Sequence, residues 1–453
     1  MFSSFRSSAE AARRHPDLFF AGLLTDQDID SAMGESTALL RRWIYTPLIT
    51  ITVFLTQCMS ADHSCREAVA KLLAWRMKRG LKPCSADTGT YCDARDELPE
   101  AACQQLATNV GRQLDESAPS KWLWCKRRVC VVDGSTITMA DTPDNQAEYP
   151  QLRSQKPGCG FPIARLVVVF SLSVGSVIQM AIGKFKGKLT GENSMFRQMH
   201  KHFTKGDVIL SDRSYAGWFD IALAIQAGLD VVTRLHQARR FDFRTGTRLG
   251  KDDHIISAPK PARPTWMDEA TYQSLPEEIQ LRQCRIRVTK KGFRTKKILL
   301  ETTLLDATTY SLEDLARLYR RRWDAEIGLR NLKITMQMDH LRCKTPHRVH
   351  NEFYMHVLAH NLIRKTIAIA AMEAGVQPYQ ISFKGALQTL LNFLAFLSSD
   401  TDIDQWCRQL IAAIATHEIA NRPDRYEPRV RKRRPKQYKL MNRPRSDYKK
   451  SIQ

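Results

Sequence analysis

Two aspartates stand at the ends of apolar runs, where buried strands would hold them. Asp133 follows the apolar run at 129–132, and Asp212 follows the run at 208–211. Open α/β sheets bind their ligands at the carboxyl ends of strands. A buried carboxylate is costly unless a positive charge balances it, and Mg²⁺ prefers a few carboxylate oxygens. The pair is compatible with a divalent-cation site, and the alternative that each aspartate merely caps a turn stays open at this point.

A third acidic residue belongs to a polar stripe on a helix predicted further along the chain. Tyr319, Arg322, Glu326 and Lys333 are separated by three, four and seven residues. At about 100° per residue, these side chains fall within an arc of roughly 60° on an α-helix. Arg322 and Glu326 could instead form an ordinary ion pair on a solvated face. From these four residues alone, that alternative stays open.

The elements that must position these residues follow the pattern of an α/β core. A first strand is predicted within 127–141, ending near Asp133, and a hairpin within 164–185 turns at Gly175. Helices at 191–203 and 215–228 then alternate with buried strands at 206–212 and 229–235. Three strands followed by strand and helix alternation is the order of an RNase H-like sheet, so we expect an α/β fold with an RNase H-like core.

A β-rich insertion and helical flanks are predicted around this core. The insertion spans 236–306, which is too long for a simple loop and contains β-like runs. The next helix begins at Ser311, a good N-cap with Asp314 at the third helical position, and continues to about residue 334. The predicted units are a helical N-terminal domain at 1–118, a core domain at 119–345, a helical region at 346–420 and a tail at 421–453.

Charge makes a polyanion the natural partner of this chain. The 453 residues include 69 Lys and Arg against 47 Asp and Glu, a formal net charge of +22. The tail at 421–453 carries thirteen Lys or Arg against three acids, and we expect it to lack fixed structure until it meets a polyanion. Charge alone leaves two alternatives open: an acidic membrane surface as the partner, or a charge that contributes only to solubility.

The remaining composition favours a reduced, non-membrane protein. Eleven cysteines are scattered without a Cys-x-x-Cys pair, which argues against a disulfide framework. The apolar stretch at 44–59 is short and contains Pro47 and Gln57, so it is predicted to be a buried core helix. The first residues lack the apolar segment of a signal peptide. We expect a cytoplasmic location of the bacterial type, in association with the nucleoid.

The spacing of these motifs resembles that of the insertion-sequence DDE transposases. Tyr319, Arg322, Glu326 and Lys333 match the Tyr-x2-Arg-x3-Glu-x6-Lys signature of one subgroup, the insertion-sequence family four type. The segment 212–215 is similar to the family's second block and 132–135 to its first. The resemblance covers about 127–346 and includes the β-rich insertion. Asp141 lies eight residues after Asp133 and is the alternative first acid, but only Asp133 directly ends the apolar run.

The resemblance implies an enzyme that cuts and joins DNA with two Mg²⁺ ions, or Mn²⁺, held by Asp133, Asp212 and Glu326. Two such ions activate the attacking hydroxyl and stabilise the leaving oxygen of a phosphodiester. Asp133 would bridge the ions, and the other two acids would each complete one. The implied DNA-binding residues are Tyr319, Arg322, Lys333, Arg213 and Tyr215, with Arg holding a phosphate through its fork and Lys as a point charge.

Cut-and-paste transposition through a hairpin and a flipped base is also implied, as is a dimer on paired DNA ends. Trp266, in the insertion, is a candidate stacking platform for that base, although a core or linker role is favoured. The helical N-terminal domain is the candidate for binding DNA ends. The alternatives are a DNA-binding protein that has lost catalysis and an RNase H-like nuclease that cuts without regard to terminal sequence.

Overall fold

The fold is taken from a computed structural model that describes residues 26–34, 44–236, 239, 241–287, 297–396, 401–420 and 438–450. Its core is a mixed sheet. The first five strands are β1 Val129–Met139, β2 Ile163–Ser171, β3 Val177–Lys184, β4 Val208–Leu210 and β5 Asp230–Arg234. They lie in the order β3-β2-β1-β4-β5, with β1 to β3 antiparallel and β4 and β5 parallel to β1. This arrangement confirms the predicted RNase H-like core.

Strand β1 is longer than the sequence predicts. The apolar run was expected to end near Asp133, but the strand continues to Met139 and pairs with β2 from Cys130 to Thr138. Its parallel neighbour β4 pairs only with residues 129–131. Asp133 therefore lies inside β1 but beyond the end of β4. The prediction of a strand end was wrong for β1, while it holds for Asp212, which follows β4.

Strands from the insertion extend this sheet at its β5 edge. They are β6 Thr247–Gly250, β7 Asp253–Pro259, β8 Glu278–Arg287 and β9 Lys297–Thr302. Strand β9 pairs antiparallel with β5, and the order continues through β8 and β7 to β6. A buried ion pair between Arg282 Nη2 and Asp253 Oδ2, 2.5 Å long, joins β8 to β7. The insertion thus continues the sheet. A short strand, β10 His340–Leu341, pairs parallel with the end of β1.

Helices cover both faces of the sheet. Before β1 they are α1 Asp26–Met33, α2 Pro47–Met59, α3 Cys65–Lys78, α4 Gly89–Asp96 and α5 Glu100–Glu116. Between the strands lie α6 Pro143–Glu148, α7 Glu192–Met199, α8 Trp218–Gln226 and α9 Glu269–Ser274. After β9 follow α10 Leu312–Arg320, α11 Trp323–Arg330, α12 Pro346–Glu373, α13 Phe383–Ala395, α14 Ile403–Ala415 and α15 Arg445–Lys450.

The helices from the two ends of the chain share one hydrophobic core with the sheet. Helix α12 is buried along most of its length and packs against α5, α2 and α14. Asn361 of α12 shows how closely they join, because its Nδ2 donates to the carbonyls of Ala107 in α5 and Val177 in β3, each at 2.9 Å. Its Oδ1 accepts from the backbone amide of Val177 at 2.7 Å. The helices at 47–116 therefore support the same sheet that carries the aspartates.

Helix α2 has the buried position that the sequence predicts for the stretch at 44–59, since eleven of its thirteen residues are buried. Across the described part of the chain, the structure contains no helix with the length and apolarity needed to cross a membrane. Within the predicted tail, residues 421–437 and 451–453 lie outside the described residues. Part of the rest forms the short helix α15.

The helix predicted to run from Ser311 to about 334 is divided into three pieces. Its start is as expected, because Ser311 Oγ accepts from the Asp314 amide at 3.1 Å. Between α10 and α11 the amide of Arg322 donates to the Tyr319 carbonyl, and the amide of Ala325 to the Arg322 carbonyl. These hydrogen bonds join residues three apart instead of four, so the helix is wound more tightly here. The last segment, Asn331–Thr335, is a π-helical turn. The polar stripe of Tyr319, Arg322, Glu326 and Lys333 was predicted for one uninterrupted α-helix. Because the helix is divided, the stripe does not extend to Lys333.

Candidate active site

The sheet register brings the two aspartates side by side. Val131 of β1 pairs with Leu210 of β4. Asp133 and Asp212 each lie two residues further along the chain from this pair. Neighbouring strands lie about 4.8 Å apart, so this register makes the aspartates neighbours. The Asp212 carbonyl accepts from Thr233 Oγ1 of β5 at 2.7 Å, and its Oδ1 accepts from the Ser214 amide at 2.8 Å. The backbone carbonyl and the carboxylate of Asp212 are therefore both held by hydrogen bonds.

Asp133 has an unusual electrostatic environment. Burial raises the pKa of this carboxyl from 3.8 to about 6, against the opposing effects of the Arg322 guanidinium and the Gly134 amide. The charges of Glu326 and Asp212 raise that pKa further. All three acidic residues predicted from the sequence therefore lie close enough to interact. At neutral pH this group of negative charges favours a bound cation.

Glu326 is held by its neighbour on the same helix. Arg322 Nη2 donates to Glu326 Oε1 at 2.7 Å, with the Arg322 side chain 14% exposed. Burial opposes the charge on Arg322, but the hydrogen bond to Glu326 and the negative charges around it raise its pKa overall. The alternative of a fully solvated ion pair does not describe this arginine. The positive charge of Arg322 pairs with Glu326 and also acts on the Asp133 carboxyl.

A glycine lets the helix that carries Glu326 lie directly on the sheet. A Cβ placed on Gly328 of α11 would stand 2.7 Å from Cε1 of Phe170 in β2. No side chain larger than hydrogen fits at this contact without movement. A glycine inside a helix costs about 1 kcal/mol relative to alanine, and this signal in the sequence indicates close packing. Gly328, which lets α11 approach Phe170 closely, is not among the site residues predicted from the sequence.

The three carboxylates have the donor chemistry of a divalent-cation site. Within the described ranges, each accepts hydrogen bonds through one oxygen: Oδ1 of Asp133 from Gly134, Oδ1 of Asp212 from Ser214, and Oε1 of Glu326 from Arg322. The second oxygen of each accepts none from these residues. The same ranges contain no group of three His, Cys, Asp or Glu side chains placed to surround one ion. Pairs of carboxylates suit Mg²⁺, which keeps other positions for water and phosphate.

Three of the other residues predicted to contact DNA are buried or half-buried. Tyr319 is 8% exposed and Tyr215 is 4% exposed. Lys333 Nζ donates to Ser135 Oγ at 3.0 Å and to the Thr136 carbonyl at 2.7 Å, and burial lowers its pKa. Lys333 thus joins the π-helical turn to β1, next to Asp133.

The remaining candidates lie toward the surface. Arg213 is exposed immediately after Asp212, and Asp141, the alternative first acid, is exposed beyond the end of β1. Trp266 is 39% exposed, and the Arg197 guanidinium lies 3.6 Å from its ring centroid. One face of this indole is therefore already covered. Trp323, which is not among the residues predicted from the sequence, is 43% exposed beside Arg322.

Comparison with known proteins places this site in a family. Residues 124–362 match the family model described as Transposase DDE domain, and this segment contains all three acids. The chain is 27% identical over 370 residues to "Transposase InsG for insertion sequence element IS4" of Escherichia coli (strain K12), covering 80% of each chain. The similarity agrees with the predicted resemblance to insertion-sequence transposases.

A solved structure is similar at a lower level. The piggyBac transposase synaptic complex with hairpin DNA, determined by cryo-EM, matches with a TM-score of 0.41 and 10% identity, over 88% of this chain and 84% of that chain. A similarity of this size carries no conclusion about the site. The family model alone covers more than half of the chain. The chain therefore belongs to the transposase DDE domain family and is a DDE-type DNA transposase.

Proposed function

We propose that this transposase cleaves DNA at the ends of an insertion-sequence element of the family four type and joins those ends to target DNA, using Asp133, Asp212 and Glu326. The observation that carries this assignment is the parallel register of β1 and β4, which makes Asp133 and Asp212 neighbours. Glu326 follows Asp133 by 193 positions in the chain and belongs to α11, which packs against β1. Cut-and-paste movement is the form of transposition that the resemblance supports.

The DDE family implies dependence on divalent cations, and we assign two, Mg²⁺ or Mn²⁺, to these acids. Such ions supply activation of the attacking hydroxyl and charge stabilisation of the leaving oxygen. The free oxygens of Asp212 and Glu326 would each complete one ion, and Asp133 would contribute to both. Arg322 keeps Glu326 in place through the other carboxylate oxygen. Because the three side chains are fixed by backbone or side-chain donors, little ordering is required when a cation binds.

The basic residues beside the acids would hold the phosphate that is being cleaved. Lys333 uses two donors for Ser135 and Thr136, and an ammonium group has a third. The Arg322 guanidinium offers further N–H groups beyond the one that Glu326 accepts. Arg213 is exposed next to Asp212 and suits a more distant phosphate. Tyr319 and Tyr215 would support these residues from the core, since both rings are buried.

The assembly around the DNA follows family expectation. We propose a dimer on paired ends, with the N-terminal helices contacting terminal sequence and the basic tail contacting phosphates without sequence preference. Trp266 would stack a flipped base only on the ring face that Arg197 leaves uncovered. The proposed location is the cytoplasm, at the nucleoid.

The test of this function is strand cleavage of a linear DNA that carries the element's own ends, with Mg²⁺ or Mn²⁺. Wild type should nick the ends and join them to a second DNA, while Glu326→Gln should bind the same DNA without nicking it. Glu313→Gln is the matched control, because Glu313 lies in the preceding helix with its side chain 79% exposed. Binding without nicking by wild type would favour the inactive DNA-binding protein. Cutting without regard to the ends, with no joining, would favour a nuclease.

A further inference from the structure

A fourth carboxylate lies against the strand residue that follows Asp133. Glu192 is the first residue of α7, and a Cβ placed on Gly134 would stand 2.2 Å from Cδ of Glu192. The backbone of Gly134 does not adopt a positive φ, so the feature of this glycine is the space it leaves, and a side chain here would require the Glu192 carboxylate to move. Gly134 therefore leaves the room that lets the Glu192 carboxylate reach the β1 backbone.

Glu192 is held in this position by an arginine. Arg165 of β2 donates through Nη1 to Glu192 Oε1 at 2.8 Å and through Nη2 to the Phe185 carbonyl at 3.2 Å. The Glu192 side chain is 28% exposed. As in the three predicted acids, one carboxylate oxygen is fixed, and Oε2 accepts no hydrogen bond from the described residues. A simple tether between α7 and β2 would explain the ion pair, but it would not require a carboxylate against Gly134.

Glu192 and Asp133 lie beside a stretch of β1 that has no described neighbouring strand on its β4 side. Side chains alternate along a strand, so Gly134 faces α7 while Asp133 faces the opposite side, where α11 lies. Among the described strands, none pairs with β1 on the β4 side between Val131 and Thr138. No described strand therefore lies beside Asp133 and Gly134 to separate side chains on the α7 face of the sheet from side chains on the α11 face.

A buried hydroxyl near these acids has no hydrogen-bond partner among the described residues. Tyr215 is 4% exposed, and its hydroxyl has no hydrogen-bond partner in the described structure. Burial raises the pKa of Tyr215, and the charges of Glu192, Asp133 and Asp212 raise it further. The hydroxyl is therefore within electrostatic range of all three carboxylates. A buried donor left unpaired costs about 1–3 kcal/mol, so a water or another ligand is expected to accept from this hydroxyl.

We infer that Glu192 is a fourth carboxylate of the divalent-cation site, with the Tyr215 hydroxyl donating to a ligand of the cation, such as one of its waters. This inference rests on the proposed function, because it concerns the same site. Glu192 would increase cation affinity from the α7 side, and Arg165 would limit the repulsion between Glu192 and the other acids. Gly134 is necessary for this arrangement because any larger residue would displace the Glu192 carboxylate.

The test is binding of Mn²⁺ alone to the full chain, followed by the electron paramagnetic resonance signal of the free ion. Removing an outer carboxylate typically weakens metal binding by about 10-fold or more, so Glu192→Gln should bind Mn²⁺ about 10-fold less tightly than wild type. Asp133→Asn should lose the site, and Tyr215→Phe should weaken binding without loss of melting temperature. Glu277→Gln is the control, since Glu277 also forms an ion pair, with Lys260, but is 88% exposed in the insertion.

Gly134→Ala provides an independent variant, because the added methyl group should push Glu192 away. It should weaken Mn²⁺ binding about as much as Glu192→Gln, and the double variant should be little worse than either single one. If Glu192→Gln lowers the melting temperature but binds Mn²⁺ like wild type, Glu192 is only a tether and the inference is overturned. Absence of Mn²⁺ binding by wild type would overturn it as well. Normal Mn²⁺ results without DNA nicking would instead refute the proposed function alone.

Discussion

Arg322 donates to Glu326 at 2.7 Å, and its charge also lowers the pKa of Asp133. One guanidinium therefore acts on two acids that belong to different elements, a helix and a strand. Arg322 lies at the junction between α10 and α11, where the helix tightens into three-residue hydrogen bonds. The break between α10 and α11 therefore determines where the Arg322 side chain begins, next to the acids on which its charge acts. The contribution of Arg322 to catalysis should therefore exceed that of a phosphate contact alone.

Replacement of Arg322 by alanine should reduce end cleavage by at least about 10-fold, since a hydrogen bond to a charged group contributes about 1.5–3 kcal/mol. Arg322→Lys should recover only part of this loss, because lysine keeps the charge but not the planar fork. Single-turnover cleavage rates measure both effects. Arg317→Ala is the control, because Arg317 is 60% exposed and pairs with Asp314 at the start of α10. Equal rates for Arg322→Ala and the control would contradict this role.

Asp133 should make stability depend on pH in the absence of cations. Its pKa is about 6 in the fold, above its ordinary value of 3.8, because burial disfavours the charged form. Between these values the folded chain binds a proton that the unfolded chain releases, so stability falls as pH rises toward 6 and stays lower above it. A shift of about 2 units corresponds to roughly 1–3 kcal/mol.

Asp133→Asn should therefore unfold at higher urea than wild type at pH 8, whereas the two proteins should unfold alike near pH 4. Equilibrium urea unfolding in the presence of a chelator measures this difference. Mg²⁺ added at pH 8 should reduce the gap, because it stabilises the wild-type carboxylate and leaves the amide unaffected. An Asn variant that is less stable at pH 8 would show that burial does not govern Asp133.

The sequence predicts the three acids because each depends on a local pattern. Apolar runs precede Asp133 and Asp212, and the spacing of Tyr319, Arg322, Glu326 and Lys333 is that of a signature. The parallel register of β1 and β4 then follows from the RNase H-like order. These features can be predicted from short segments of sequence together with one known strand order. The sheet order and the helix start at Ser311 agree with the structure for the same reason.

Other features depend on contacts between distant segments, which periodicity does not record. Asn361 contacts Ala107 across 254 residues, and this contact joins helices that the sequence analysis assigned to separate units. The contact of Glu192 with Gly134 likewise needs the fold, although the small residue after Asp133 is visible in the sequence. The length of β1 was underestimated because its second half is half-buried and lacks a continuous apolar run.

Removal of residues 421–453 should weaken nonspecific DNA binding more than catalysis. The segment carries thirteen basic residues against three acids and is distant in sequence from the acidic site. For the full chain, neutralising six or more phosphates should lower DNA affinity by about 10³-fold between 50 and 200 mM salt, and truncation should reduce that slope. Fluorescence anisotropy over a salt series measures the effect. Equal losses of binding and of cleavage at saturating DNA would indicate a structural role for the segment.

The close contact between Gly328 and Phe170 should control both stability and cleavage. Gly328→Ala gains about 1 kcal/mol of helix propensity, but overpacking at a rigid core contact costs about 1–3 kcal/mol. A net loss of up to about 2 kcal/mol is therefore expected, together with slower cleavage, because the methyl group moves α11 and Glu326 away from the sheet. Urea unfolding and single-turnover cleavage measure the two effects.

Phe170→Leu should remove part of the clash, so the double variant should be more stable and more active than the sum of the single changes predicts. Gly89→Ala is the matched control, because a Cβ there meets only the flexible Asp87 side chain, at 3.3 Å. Its stability should be unchanged or slightly higher. If Gly328→Ala behaved like Gly89→Ala, the separation between α11 and the sheet would not determine where Glu326 lies.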